Sequence, residues 1–144
     1  MNMPRGRTRK SGLRSGFEER IAKELDDAKV KYTYETKSFT YVEPLRKNLA
    51  HCGACGSTDL RRTGRYTPDF VLRSGLIIEA KGRFTAGDRR KMKAMKKQHP
   101  DVKIVMLFMR DNALSRKSKT FYSDWCMEND YDFSIGTLKQ EWLK

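Results

Sequence analysis

Two apolar, β-rich runs separated by three turn residues do most to limit the folds open to this chain. Tyr66-Thr67-Pro68-Asp69-Phe70-Val71-Leu72 leads into Arg73-Ser74-Gly75, and Leu76-Ile77-Ile78-Glu79-Ala80-Lys81-Gly82 follows. A short Gly-containing connection between such runs reads as a β-hairpin. Side chains alternate along a strand, so Glu79 and Lys81 share one face while Ile78 and Ala80 point the other way. Pro68 lets the first strand begin at Asp69, across the turn from Glu79. Two carboxylates and an amine therefore converge in a chain that is otherwise strongly basic, a combination suited to a divalent metal held against a phosphodiester.

The chemistry explains those residue types. Mg²⁺ is a hard ion that keeps several waters and takes one or two protein carboxylates plus phosphate oxygens. It lowers the pKa of a bound water, orients that water toward phosphorus and stabilises the leaving oxygen. A nearby lysine positions the water or offsets developing charge. On this reading Asp69 and Glu79 hold the metal and Lys81 faces the attacking water. The plain alternative is an ordinary hairpin with one solvated face, since Asp followed by Glu-x-Lys at loose spacing arises readily by chance.

With 144 residues the chain has room for one domain with a modest core. Thirty-one Lys and Arg against eighteen Asp and Glu give a formal charge of +13, which favours a polyanionic partner through counterion release. An anionic membrane would also suit that charge, yet no strongly basic amphipathic helix with a wide aromatic face is present, so nucleic acid is preferred. There is no long apolar run and no signal-peptide core, so no membrane association is expected. Three cysteines without a secretory context fit a reducing cytoplasm better than a disulfide framework.

The positive charge is clustered. Residues 1–14 carry Arg5, Arg7, Arg9, Lys10 and Arg14 without an acid and read as a flexible arm that follows a nucleic-acid backbone or enters a groove. A second cluster, Arg89, Arg90, Lys91, Lys93, Lys96 and Lys97, falls on an expected helix soon after the carboxylates. Either cluster alone reads as solvated surface; both beside a metal site read as phosphate contacts.

Along the chain, Ser15 to about Lys29 reads as an amphipathic helix with Phe17, Ile21, Leu25 and Ala28 on one face. Ser15-Gly16-Phe17-Glu18 has the form of a capping box, with Ser15 as N-cap. Glu18 is then a capping residue or a further carboxylate carried to the metal site by a helix start. Lys31–Glu35 and Ser38–Val42 read as strands, the second closed by Pro44, and residues 45–65 as a polar connection. After the hairpin, Ala86–Gln98 reads as a basic helix stopped by His99-Pro100. Val102–Met109 has the continuous apolar pattern of a buried central strand. Thr120–Asn129 reads as a helix capped by Thr120, with Tyr122, Trp125 and Cys126 inward, and Gly136–Leu143 as a final turn. His99 reads as structural, and Trp125 and Trp142 as core or dimer packing. The expected architecture is α/β, a mixed central sheet flanked by helices, in a single domain over residues 15–144.

Arg14-Ser15-Gly16-Phe17-Glu18, together with Tyr66-Thr67-Pro68-Asp69-Phe70 and Glu79-Ala80-Lys81-Gly82, resembles the phage endonuclease I family, Holliday-junction resolvases of the T-seven type. The similarity continues through Asp88-Arg89-Arg90-Lys91 and Gln98-His99-Pro100 to Glu141-Trp142-Leu143, in order over nearly the whole chain. The resemblance implies a Mg²⁺-dependent nuclease, with Mn²⁺ able to substitute, and a restriction-endonuclease-like core. It places the catalytic and metal-binding carboxylates on Glu18, Asp69 and Glu79 and the catalytic lysine on Lys81. It further implies an intertwined homodimer whose chains exchange elements, so that Glu18 would complete the partner's active site. Paired nicks would then resolve four-way and other branched double-stranded DNA, selected by shape and backbone geometry rather than base sequence.

One stretch departs from that pattern. The connection after Pro44 is longer than the family leads one to expect and holds His51-Cys52-Gly53-Ala54-Cys55-Gly56. Cys52 and Cys55 have zinc-knuckle spacing, although a structural Zn²⁺ site needs four ligands. Incidental thiols in a polar loop, a zinc site formed by one knuckle from each chain of a dimer, and a redox pair all fit the spacing. The longer connection would also let one chain fold back on itself. Two other functions share these features: a restriction-type endonuclease on linear duplex, and a non-catalytic zinc-knuckle nucleic-acid-binding protein.

Overall fold

A computed structural model describes residues 15–44 and 61–144; the basic arm and Cys52 and Cys55 lie outside the described residues. Ser15 opens helix α1 (Gly16–Asp27), its hydroxyl accepting the Glu18 amide at 3.2 Å. This satisfies one of the amides that a helix start leaves without a partner. Phe17, Ile21, Ala22 and Leu25 recur on one face of α1 and are all buried. Strands β1 (Tyr32–Tyr34), β2 (Phe39–Pro44), β3 (Arg61–Tyr66), β4 (Phe70–Leu72) and β5 (Ile77–Lys81) follow. Helix α2 (Ala86–Gln98), strand β6 (Ile104–Phe108), helix α3 (Tyr122–Glu128), strand β7 (Phe133–Ile135) and a 3-10 turn (Gln140–Leu143) complete the order.

Five strands form one mixed sheet in the order β1-β4-β5-β6-β7. The β1–β4 and β4–β5 pairs are antiparallel, and the β5–β6 and β6–β7 pairs are parallel. Parallel neighbours need a crossover, which α2 supplies for the first pair and α3 for the second. Covered on both faces, the interior strand β6 is buried at every position, as its apolar run predicts. Alternation divides the sheet between two cores. Phe70, Leu72, Ile78, Val105 and Leu107 pack with the α1 residues and Trp142. Val71, Ile77, Ile104, Met106 and Phe108 pack with Phe84, Met92, Met95 and Trp125. Both tryptophans are thus core residues of their own chain.

The β4–β5 turn is tight. The Leu72 amide donates to the Leu76 carbonyl and the Gly75 amide to the Leu72 carbonyl, each at 2.8 Å. Gly75 takes φ +92, a conformation only glycine adopts without strain.

The expected connection over residues 45–65 requires correction, because its last part is strand β3. Strands β2 and β3 form a separate two-stranded antiparallel sheet, in register from Phe39↔Tyr66 to Pro44↔Arg61. Arg61-Arg62-Thr63-Gly64-Arg65 carries no apolar alternation because this ribbon is mostly solvated; its buried residues are Tyr41 and Tyr66. The Tyr41 ring lies over Gly64, where a β-carbon would stand 2.3 Å from the ring. The Gln98 amide pairs with both backbone groups of Val42, at 2.8 and 2.7 Å, like a neighbouring strand. His99, the C-cap of α2, sets a ring nitrogen 2.7 Å from the Thr40 carbonyl and so has the expected structural role. Two further corrections are small. Phe121, not Thr120, occupies the N-cap of α3, and its amide donates to Asp124 at 2.9 Å. Strand β7 carries no period in the sequence, being three residues long and largely half-buried at the sheet edge.

Candidate active site

Asp69 stands immediately before β4, where Pro68 ends the approach from the small sheet. Its carbonyl accepts the Glu35 amide at 3.1 Å, and its side-chain Oδ2 accepts the Ala80 amide of β5 at 2.9 Å. Glu79 and Lys81 project from the same face of β5, as their spacing predicts, with Lys81 Nζ 3.3 Å from Glu79 Oε1. Lys81 Nζ also lies 3.3 Å from Asp88 Oδ1, in the first turn of α2. The other oxygen of Asp88 accepts the Thr85 amide and hydroxyl, each at 2.9 Å, so one carboxylate caps the helix and holds the lysine. From the opposite side, α1 brings Glu18 close enough for its charge to act on Asp69. Glu18 is held at the start of that helix, which Ser15 caps, by the Tyr34 hydroxyl.

Carboxylates are almost never fully buried without a partner. Here Glu18, Asp69 and Glu79 are 8%, 9% and 4% exposed. Burial, then the Glu79 charge, pushes the Asp69 carboxyl up to about 8, with Glu18 adding to the shift. Burial raises Glu79 as well, against the opposing pull of Lys81 and of the Tyr66 hydroxyl. Burial alone would lower Lys81, but attraction from Glu79, Asp88 and Asp69 wins and holds its ammonium above the usual range. Asp88 is likewise penalised by burial, yet the Thr85 amide and Lys81 pull it below the ordinary carboxylate range.

These groups fit a hard divalent cation. The donors are carboxylate oxygens, with no thiol or imidazole among them, which suits Mg²⁺ or Mn²⁺. Among the described residues no cluster of three His, Cys, Asp or Glu side chains is placed to hold a metal ion. Mg²⁺ needs none, since it is usually held by one or two carboxylates with water and phosphate completing the shell. The decisive feature is the crowding of carboxyl groups: Glu79 and Asp69 share the influence of one ammonium, which Asp88 also engages.

The basic helix is less uniform than its sequence suggests. Arg90, Lys93 and Lys97 line a groove of about 700 Å³ between α2 and the small sheet, faced by Arg61 from β3. Arg89 turns inward instead, donating to the Phe84 carbonyl at 2.8 Å with its guanidinium 6.0 Å above the Phe84 ring. Lys96 bonds the Asp130 carbonyl and lies 4.4 Å from the Tyr131 ring centre, away from that groove.

Two residues near the carboxylates carry no motif in the sequence. The Tyr66 hydroxyl donates to Glu79 Oε2 and the Tyr34 hydroxyl to Glu18 Oε2, each at 2.7 Å. Burial, then the Glu79 charge, pushes the Tyr66 phenol far up, so it remains a proton donor. A tyrosine in a strand looks like ordinary packing in sequence, and neither carries a spacing signal. Asp88 does carry one: Thr85-x-x-Asp88 before a helix is a capping pattern.

An α/β domain that buries three carboxylates, one of them paired with a lysine, at the foot of a basic helix, is built as a small nuclease. Comparison with known proteins agrees. Residues 57–144 match the family model described as phage endonuclease I. The chain is 31% identical over 128 residues to "Endodeoxyribonuclease 1" of Enterobacteria phage T3, covering 88% of this chain and 74% of that protein. It is 29% identical over 133 residues to "Endonuclease I" of Escherichia phage T7, covering 92% of this chain and 78% of that protein. The chain belongs to the phage endonuclease I family.

Proposed function

We propose that this chain is a Mg²⁺-dependent endodeoxyribonuclease with a restriction-endonuclease-like core, which acts as a homodimer to cut four-way junctions and other branched DNA. The observation that carries the reading is the burial of Asp69 and Glu79 against Lys81, an arrangement costly to the fold and suited to a bound cation. The name of the T3 relative supports DNA as the substrate. Glu18, Asp69 and Glu79 would hold the ion. Bound Mg²⁺ would supply a water of lowered pKa and charge stabilisation at the phosphate. Lys81, set between Glu79 and Asp88, presents a fixed ammonium to offset negative charge that builds on the phosphate oxygens. Water oxygen bonds to phosphorus as the bond to the leaving strand's oxygen breaks, and the proton released by the water is balanced by one taken up at that oxygen.

Arg61, Arg90, Lys93 and Lys97 offer backbone contacts along the groove, and the arm residues Arg5, Arg7, Arg9, Lys10 and Arg14 extend the basic surface in sequence. Phosphate contacts orient a protein on DNA without reading bases, in keeping with selection by branch shape. The dimer rests on the family resemblance. If Cys52 and Cys55 from two chains share one Zn²⁺, metal analysis of the dimer finds about half a zinc per chain.

The test incubates the protein with Mg²⁺ and either a fixed four-way junction or the equivalent linear duplex, beside Glu79→Ala and Lys81→Ala. Paired nicks near the branch, lost in both variants, are the expected result. Preferential cutting of one linear sequence would favour a restriction-type enzyme, and binding without cleavage in any metal a binding protein.

A further inference from the structure

Each of the three buried carboxylates accepts a hydrogen bond from an uncharged donor. The Ala80 amide holds Asp69, the Tyr66 hydroxyl holds Glu79 and the Tyr34 hydroxyl holds Glu18. The backbone amide comes with the hairpin, but the two tyrosines are separate choices of side chain. We infer that Tyr66 and Tyr34 are positioning residues for the metal site, each fixing the rotation of one carboxylate by donating to a single oxygen. The inference deepens the proposed function and rests on it.

The chemistry favours a hydroxyl over a cation in this role. An arginine or lysine would orient a carboxylate equally well but would cancel its charge. A phenol donates one hydrogen bond and adds no net charge, so Tyr66 orients Glu79 without adding to the positive charge that Lys81 already sets against it. Partners of metal ligands commonly act in this way, and their loss weakens metal binding about 10- to 100-fold.

Packing makes the two donors rigid. Tyr66 is 1% exposed, and its ring stacks on Phe39 at 6.3 Å and 27°. Phe39 in turn meets the His99 ring edge-on at 5.5 Å. Tyr34 tilts against Phe70 at 5.3 Å. Each hydroxyl therefore reaches its carboxylate from a ring held on another element: Tyr66 from the small sheet and Tyr34 from β1. The small sheet is thereby part of the active site, since it carries the donor for Glu79.

Mn²⁺ binding to DNA-free protein, followed by electron paramagnetic resonance, tests the inference without any reaction. Tyr66→Phe is expected to weaken Mn²⁺ about tenfold or more, with the melting temperature and circular dichroism close to wild type. In a Glu79→Gln background the same substitution is expected to add little, because its target is gone. Tyr34→Phe, measured alone and with Glu18→Gln, repeats the test at the second tyrosine and serves in full if Tyr66→Phe does not fold. Wild-type affinity in the foldable Phe variants overturns the inference, as does a loss that persists undiminished in the Gln backgrounds. Wild-type protein that binds no Mn²⁺ and cuts no junction overturns the proposed function itself. Wild-type binding that the tyrosine variants share overturns only the positioning roles.

Discussion

Strands β4 and β5 pair over a short register, and all of β4 and the first three residues of β5 are buried. Strands β2 and β3 pair over six residues, yet only Tyr41 and Tyr66 among them are buried. The longer ribbon has more ladder and less core. Its position depends on a few side-chain anchors, namely Tyr41, Tyr66, the Gln98 amide and His99. The shorter hairpin is gripped by apolar cores on both faces, and that grip offsets the burial of Asp69 and Glu79. Charge that the fold would reject elsewhere is placed where packing is strongest.

The contrast is broken most severely at Phe70, which is fully buried between the rings of Tyr32 and Tyr34. Phe70→Ala is expected to cost about 3–5 kcal/mol in denaturant unfolding, whereas Val42→Ala on the exposed ribbon stays within about 0.5 kcal/mol. Equal losses at the two sites would show that the ribbon is as tightly cored as the hairpin.

Asp69→Asn sharpens the comparison from the other side. The Asp69 carboxyl is raised by burial from 3.8 to about 8. Its contribution to stability is therefore full below the unfolded value and is lost as pH rises through about 8. The metal-free Asn variant should be more stable than wild type at pH 8, with a flatter pH dependence and no nuclease activity. Lower stability at that pH would mean the charge is not the burden described. Next in size, Gly64→Ala pushes a β-carbon into the Tyr41 ring, and that ring is buried in the core. A loss of about 1–2 kcal/mol is expected from such overpacking; a neutral result would mean the ribbon shifts freely. Arg62→Ala removes an exposed ion pair with Glu43 on the same ribbon and should move stability by less than about 1 kcal/mol.

The parts legible in sequence are those where burial writes a period or a cap writes a motif. Helix α1 and its Ser15 cap, helix α2, the β4–β5 hairpin and strand β6 all carry such a mark. So does the pairing of Glu79 with Lys81, which follows from alternation alone. Strand β3 carried none, since a solvated ribbon has no apolar face to reveal it. Strand β7 was too short for a period to show. The Tyr34 and Tyr66 hydroxyls were hidden for a different reason: their partners come from other elements, and only the folded chain brings them within 2.7 Å. The division of the basic helix between groove, core and far side was hidden likewise, because charge in sequence does not say which way a side chain turns.

Asp88 bonds both Lys81 and the start of α2, so Tyr66, Asp69, Glu79, Lys81 and Asp88 belong to one unbroken stretch of chain. Glu18 is the exception, brought by a separate helix and held by a separate tyrosine.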